Sequence, residues 1–251
     1  MTRRLVVLLA LLGLALPATA TLLWRAPSGT AAPAAARDDA ARRLFETARF
    51  EPLRSAWQTV GATPHTRRAR TEQHDRDGLL RAFDEVTTEG ARTFDRASGG
   101  AFDYGFFTAY VSERTTTPDP HDVGALALVN LADVLRSPDA FAFDVRADSV
   151  VGDVGVRIVE ATALPGAGDG HNVRRFTLFV DPETQTVVGV DVRRIDLGTW
   201  FREETRTRVE TQRLRDGRAM PTRTDFESLV VMPFRPAQPI STVALYAPLG
   251  G

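Results

Sequence analysis

From residue 141 to the C-terminus the chain alternates apolar and polar side chains with a two-residue period, run after run, with turn signals between the runs. Val154, Val156 and Ile158 form one apolar series; Phe176, Leu178 and Val180 a second; Val188, Val190 and Val192 a third. Successive side chains on a strand point to opposite faces, so this period predicts half-buried antiparallel strands. The runs fall at 141–148, 150–163, 174–181, 186–195, 200–215, 218–232 and 241–246. Asp181-Pro182-Glu183-Thr184 and Asp216-Gly217 are the clearest hairpin tips, since proline presets one turn dihedral and glycine accepts positive φ. Along 200–215 the even positions Arg202, Glu204, Arg206, Arg208 and Glu210 are charged. The odd positions Phe201, Thr205, Thr207, Val209 and Thr211 are apolar or small hydroxyl residues, so one sheet face is wet and the other suits helices or an apolar ligand.

The first half reads differently. Asp38 or Asp39 opens a helical stretch through about Trp57 that Pro52 splits or kinks. The segments 66–73 and 79–88 flank His74-Asp75-Arg76-Asp77-Gly78 as an outer hairpin of polar arms. Gly99 to Tyr110 is aromatic and glycine-rich, and Phe102, Tyr104, Phe106, Phe107 and Tyr110 fit either a core or a cavity lining. Asp122 is placed to cap a helix running to Leu135, closed by Ser137-Pro138-Asp139.

At the N-terminus, Arg3 and Arg4 precede an apolar run from Leu5 to Leu16, and Ala18-Thr19-Ala20 fits a signal-peptidase site. Residues 1–20 therefore read as a signal peptide, or as an uncleaved anchor extending to Trp24. An Ala/Pro-rich linker over 21–37 follows, then a single domain over 38–251. Both readings of the leader put the body outside the cytoplasm, in the periplasm or an equivalent space.

Composition removes several chemistries. All 31 basic residues are arginine and there is no cysteine in 251 residues, which excludes Schiff-base and phosphate-loop lysines, disulfides, thiolate catalysis and cysteine-ligated zinc. A formal net charge of −1 gives no overall field for nucleic acid. The four histidines, His65, His74, His121 and His171, have no metal-ligand spacing, and Asp75-Arg76-Asp77-Gly78 puts glycine in the wrong place for a calcium loop. No nucleophile elbow is present, and Glu203 and Glu204 point to opposite faces of one strand. The reading is thus non-enzymatic, with no cofactor and no metal.

The order of elements resembles the Lol-type outer-membrane lipoprotein carrier and sorting proteins over roughly residues 40 to 246. A strand ends in Asp181-Pro182-Glu183-Thr184 and returns through Val188 and Val190; a later hairpin, Asp216-Gly217, leads past Pro221 into the next strand. The resemblance implies an α+β fold: a strongly curved antiparallel sheet, or incomplete β-barrel, with helices covering its open, concave side. It further implies a carrier or binding protein for lipid or for the acyl chains of lipid-modified proteins, which touches membranes transiently or through the uncleaved anchor. The cavity wall would then be Val154, Val156, Ile158, Phe176, Leu178, Val188, Val190, Val209 and Phe226. The alternative from the residues is an envelope protein-interaction or sensor module with a fully packed core, its charged outer face meeting a protein partner.

Overall fold

The computed structural model describes residues 39–90, 92–103, 120–166, 172–199, 201–233 and 237–249. Within these, eleven strands form one open antiparallel sheet of order β3-β2-β1-β11-β10-β9-β8-β7-β6-β4, with β5 paired to β6. The strands are β1 (His65–His74), β2 (Leu80–Glu89), β3 (Arg92–Gly99), β4 (Phe141–Val145), β5 (Ser149–Val151), β6 (Val154–Ala163), β7 (Val173–Asp181), β8 (Thr186–Leu197), β9 (Arg202–Arg213), β10 (Ala219–Val231) and β11 (Gln238–Pro248). Three α-helices, α1 (Asp39–Thr47), α2 (Glu51–Ala62) and α3 (Pro120–Arg136), pack on one face of this curved sheet. The expected leader, anchor and linker over 1–37, the aromatic residues Tyr104, Phe106, Phe107 and Tyr110, and His171 lie outside the described residues.

Local chemistry sets the turns. Asp75 Oδ1 accepts the amides of Asp77 and Leu79, both at 2.9 Å, while Gly78 takes φ +78°, so the Asp-Gly tip closes the β1–β2 hairpin as its sequence predicts. Asp181 does the same between β7 and β8, accepting from the Glu183 amide at 2.9 Å and from Thr184 Oγ1 at 2.7 Å. Gly217, at φ +84°, and Asp216, which accepts the Arg218 amide at 3.0 Å, close β9–β10.

Pro52 stands in the first turn of α2, where its missing amide would have no partner anyway, so it starts a second helix instead of kinking one. The linker between α1 and α2 is tied to the start of β8: Arg49 N donates to Gln185 O and Val187 N to Arg49 O, each 2.9 Å. Helix α3 begins at Pro120, so Asp122 lies inside its first turn rather than capping it.

Two expectations about strands change. The 150–163 run is a hairpin, β5 and β6, turned at Gly152 with φ +62°. The polar first hairpin is not at the edge: β11 pairs β1 on one side, and β3 pairs β2 on the other. Strand β3 carries no readable period, because every residue from Arg92 to Ser98 is exposed and no face needed to be apolar.

The main core lies between the helices and the sheet. Phe45 of α1 is fully buried and meets Phe143 of β4 edge-on at 5.3 Å and Phe176 of β7 at 5.8 Å. Helix α2 contributes Leu53, Trp57 and Val60, with Trp57 edge-on to Tyr246 of β11 at 6.4 Å. Helix α3 contributes Ala127, Leu131 and Val134. The opposite face is a lattice of ion pairs: Arg206–Asp191 at 2.6 Å, Arg70–Glu85 at 2.9 Å and Arg146–Glu160 at 3.0 Å.

Candidate ligand-binding face of the sheet

Cross-strand register shows which side chains share a face. Directly opposed residues of antiparallel strands point the same way. One lateral row runs Phe143, Ala161, Phe176, Val192, Thr207, Phe226, Thr242 and Thr71 from β4 across to β1. The next runs Val159, Leu178, Val190, Val209, Thr224, Ala244 and Ala69. From β4 to β9 these rows are an apolar wall; from β9 to β1 the same face changes to alanine and threonine. Thr71 and Thr242 hydroxyls pair at 3.0 Å within that second half.

Phe176, Leu178, Val190 and Val209 therefore sit together on the helix-covered face, each at most 1% exposed. Phe226 is on the same face at its small-residue margin, half-buried between Thr207 and Thr242. Val154, Val156, Ile158 and Val188 do not join them. They form a separate cluster with Val151 and Phe179 on the opposite face.

Two causes separate them. In β6 the apolar side changes along the strand: Val159 and Ala161 enter the main core, while Val154, Val156 and Ile158, of opposite parity, line the second cluster. In β8 a register shift lets Phe179 oppose Gly189 and Val180 oppose Val187, leaving Val188 as the extra residue that turns outward. The Arg208 guanidinium lies over the Phe179 ring at 5.0 Å and caps that outer cluster.

One polar contact joins the cover to the wall. Arg194 of β8 donates from Nη1 to Asn130 Oδ1 of α3 at 3.1 Å and from Nη2 to Asp196 at 2.7 Å. Asn130 is only 1% exposed. Nothing in its sequence context marked it, since an asparagine inside a helix has no motif.

Strand β1 carries three arginines within four residues, Arg67, Arg68 and Arg70, and two of them are matched by one carboxylate. Arg68 and Arg70 both donate to Glu85 of β2, at 2.7 and 2.9 Å, while Arg67 lies on the other face near the Tyr246 ring, 6.0 Å from its centroid. Arg70 and Arg68 hold the Glu85 carboxyl below its ordinary range against a smaller opposing effect of burial. The Asp75 carboxyl is likewise lowered, chiefly by the Leu79 amide. His65 is buried, its Nδ1 2.8 Å from the Thr63 carbonyl oxygen. Among the described residues no group of three His, Cys, Asp or Glu could hold a metal ion, and no helix is long and apolar enough to cross a membrane.

No protein-family model matches the chain, and no curated protein matches it. Among solved structures it is similar to a DUF1329 family protein from Desulfovibrio piger, with 11% identity, 82% of this chain and 91% of that one covered, and a TM-score of 0.29. It is also similar to a putative outer membrane lipoprotein-sorting protein domain from Vibrio parahaemolyticus, with 8% identity, coverage of 80% and 93%, and a TM-score of 0.26. A third is MucB, with 10% identity, coverage of 84% and 94%, and a TM-score of 0.24.

Proposed function

We propose that this is a non-enzymatic binding protein of the cell envelope that holds an acyl chain, of a lipid or of a lipid-modified protein, along the helix-covered face of its sheet. The observation behind the reading is the continuous wall of Phe176, Leu178, Val190, Val192 and Val209, covered among the described residues by helices and not by a second sheet. Phe226 forms the margin of the wall, where alanines and threonines leave the least bulk. Val154, Val156, Ile158 and Val188 have no part in it.

The wall is closed by all three helices, and an acyl chain that displaces the α3 part of the cover exchanges one apolar partner for another. The larger α3 side chains in this core are Leu131 and Val134. Two such side chains contribute roughly 3–6 kcal/mol on burial at about 1.5–3 each. A sixteen-carbon chain contributes roughly 12 kcal/mol at about 0.8 per CH₂, before ordering costs. The ligand wins the exchange by enough to cover a broken polar contact at Asn130.

Native mass spectrometry of protein purified from membrane-containing cells tests this: bound mass in the lipid range is expected, and its absence after gentle extraction overturns it. A second reading, a protein-interaction module with a permanently packed core, is favoured by the near-zero exposure of the wall. That reading expects no lipid and a protein partner on the charged open face.

A further inference from the structure

Charges that oppose each other across strands of the ion-paired face are matched by sign: Asp191 with Arg208, Arg208 with Asp225, Arg206 with Glu227, Arg223 with Glu210 and Arg70 with Glu85. Where two acids do oppose, at Asp144 and Glu160, Arg146 bridges them at 3.3 and 3.0 Å. One row departs from this pattern. Arg193 of β8 is directly opposed by Arg175 of β7 on one side and by Arg206 of β9 on the other. Like charges so placed destabilise the pairing unless an opposite charge joins them.

Arg206 is compensated within the protein, since its guanidinium takes both oxygens of Asp191, Nη2 donating to Oδ2 at 2.6 Å and Nε to Oδ1 at 3.2 Å. The other two are not. Arg175 meets Glu160 Oε2 only at 3.8 Å, and its buried Nε has no acceptor. The second Glu160 oxygen is held by Arg146 and Thr162. Arg193 is exposed, and its side chain makes no ion pair or hydrogen bond among the described residues.

The row thus keeps two adjoining guanidinium groups whose donors are unused. Opposed Cβ atoms lie about 4.5–5.5 Å apart, so both forks start from neighbouring points on one rigid face. A carboxylate is used up by a single fork, as Asp191 is by Arg206, whereas a phosphate group carries further oxygens and more charge for a second.

We propose that Arg175 and Arg193 bind one phosphate group between them, with the Arg206–Asp191 pair as the fixed border of the site. Inorganic phosphate and a phospholipid headgroup share this chemistry. Beyond Arg193 the same face of β8 carries Ile195 and then Leu197, which is 69% exposed; the chains of a lipid use such side chains, and a free phosphate does not. The site lies on the face away from the helices, so it stands or falls independently of the acyl-binding reading.

Calorimetric titration of the full chain at constant ionic strength, with inorganic phosphate and with dihexanoyl phosphatidylglycerol below its micelle concentration, tests the site. The wild type is expected to bind at least one probe, and Arg175→Gln and Arg193→Gln should each weaken that binding about tenfold or more, as loss of charge-assisted hydrogen bonds implies. Arg215→Gln, which removes an exposed arginine outside the row, should leave it unchanged. Tighter binding of the lipid, lost in Leu197→Ser, identifies a headgroup as the source; tighter binding of inorganic phosphate, unaffected by Leu197→Ser, identifies a soluble one. In low salt without phosphate, Arg193→Gln should raise Tm because the repulsion is gone, and added phosphate should raise Tm in the wild type alone. Binding of neither probe, binding kept by either row variant, an equal loss in Arg215→Gln, or an equal rise of Tm with phosphate in wild type and Arg193→Gln overturns the inference.

Discussion

Replacing Phe45 tests whether α1 is fastened to the sheet by aromatic packing. Phe45 has no exposed surface and meets two rings edge-on, Phe143 at 5.3 Å and 66°, and Phe176 at 5.8 Å and 80°. Phe45→Ala removes the whole ring and leaves a cavity, which costs about 3–5 kcal/mol. Phe45→Leu keeps most of the apolar burial but loses both ring contacts, each about 0.5–1.5 kcal/mol, so about 1–3 kcal/mol is expected. For a folded body of this size, 1 kcal/mol shifts Tm by about 2–4 °C, which puts Phe45→Ala at least about 6 °C below the wild type. Urea unfolding with Phe45→Leu, Phe176→Leu and the double variant isolates the pair. A coupling of about 0.5–1.5 kcal/mol is expected, because the two residues touch. Strict additivity, or a fall in Tm of under about 2 °C for Phe45→Ala, would refute the account of how the helical cover is held.

Other expectations concern charge and backbone. The Glu85, Asp75, Asp181 and Asp216 carboxyls all have lowered pKa values, so each contributes stability that is fully present above its unfolded value, near 4, and is lost as pH falls through the lower folded value. The Tm of the wild type should therefore hold above about pH 5 and drop below about pH 4. For Glu85→Gln the deficit relative to wild type should shrink as the pH goes from 7 to 2, and a constant deficit would contradict the assignment. Gly100→Ala should destabilise more than Gly78→Ala, because both have positive φ but a Cβ at Gly100 would lie 2.0 Å from the Arg81 carbonyl oxygen, whereas Gly78 faces open space. Equal chemical denaturation midpoints would count against that difference. Val190→Trp should lower stability as well as ligand retention, by about 1–3 kcal/mol or more, since Val190 has no exposed surface and its neighbours Leu178 and Val209 leave no room.

Much of the sheet was legible in the chain because its information is local. The Asp-x-x-Gly and Asp-Pro-x-Thr tips carry their own hydrogen-bond acceptors, and the two-residue alternation of β7 and β9 follows from one wet and one covered face. Strand β3 was not legible, since a strand exposed on both sides needs no apolar period. Which face each expected residue would take was legible only in part. Phe176, Leu178, Val190 and Val209 lie on the helix-covered face. Val154, Val156 and Ile158 came from an equally regular alternation that turned out to line the other face.

Alternation by itself determines that a strand has two faces and which side chains share each of them. It cannot determine which face the helices will cover, because that depends on register between strands and on contacts between residues far apart in the chain. The pairing of β1 with β11 joins the first strand to the last, and the extra residue at Val188 turns one side chain of an apolar run outward. The meeting of Asn130 with Arg194, 64 positions apart, belongs to the same class. Turn chemistry and periodicity are written into neighbouring residues; the side that stays dry is decided only when the sheet curves and the helices settle on it.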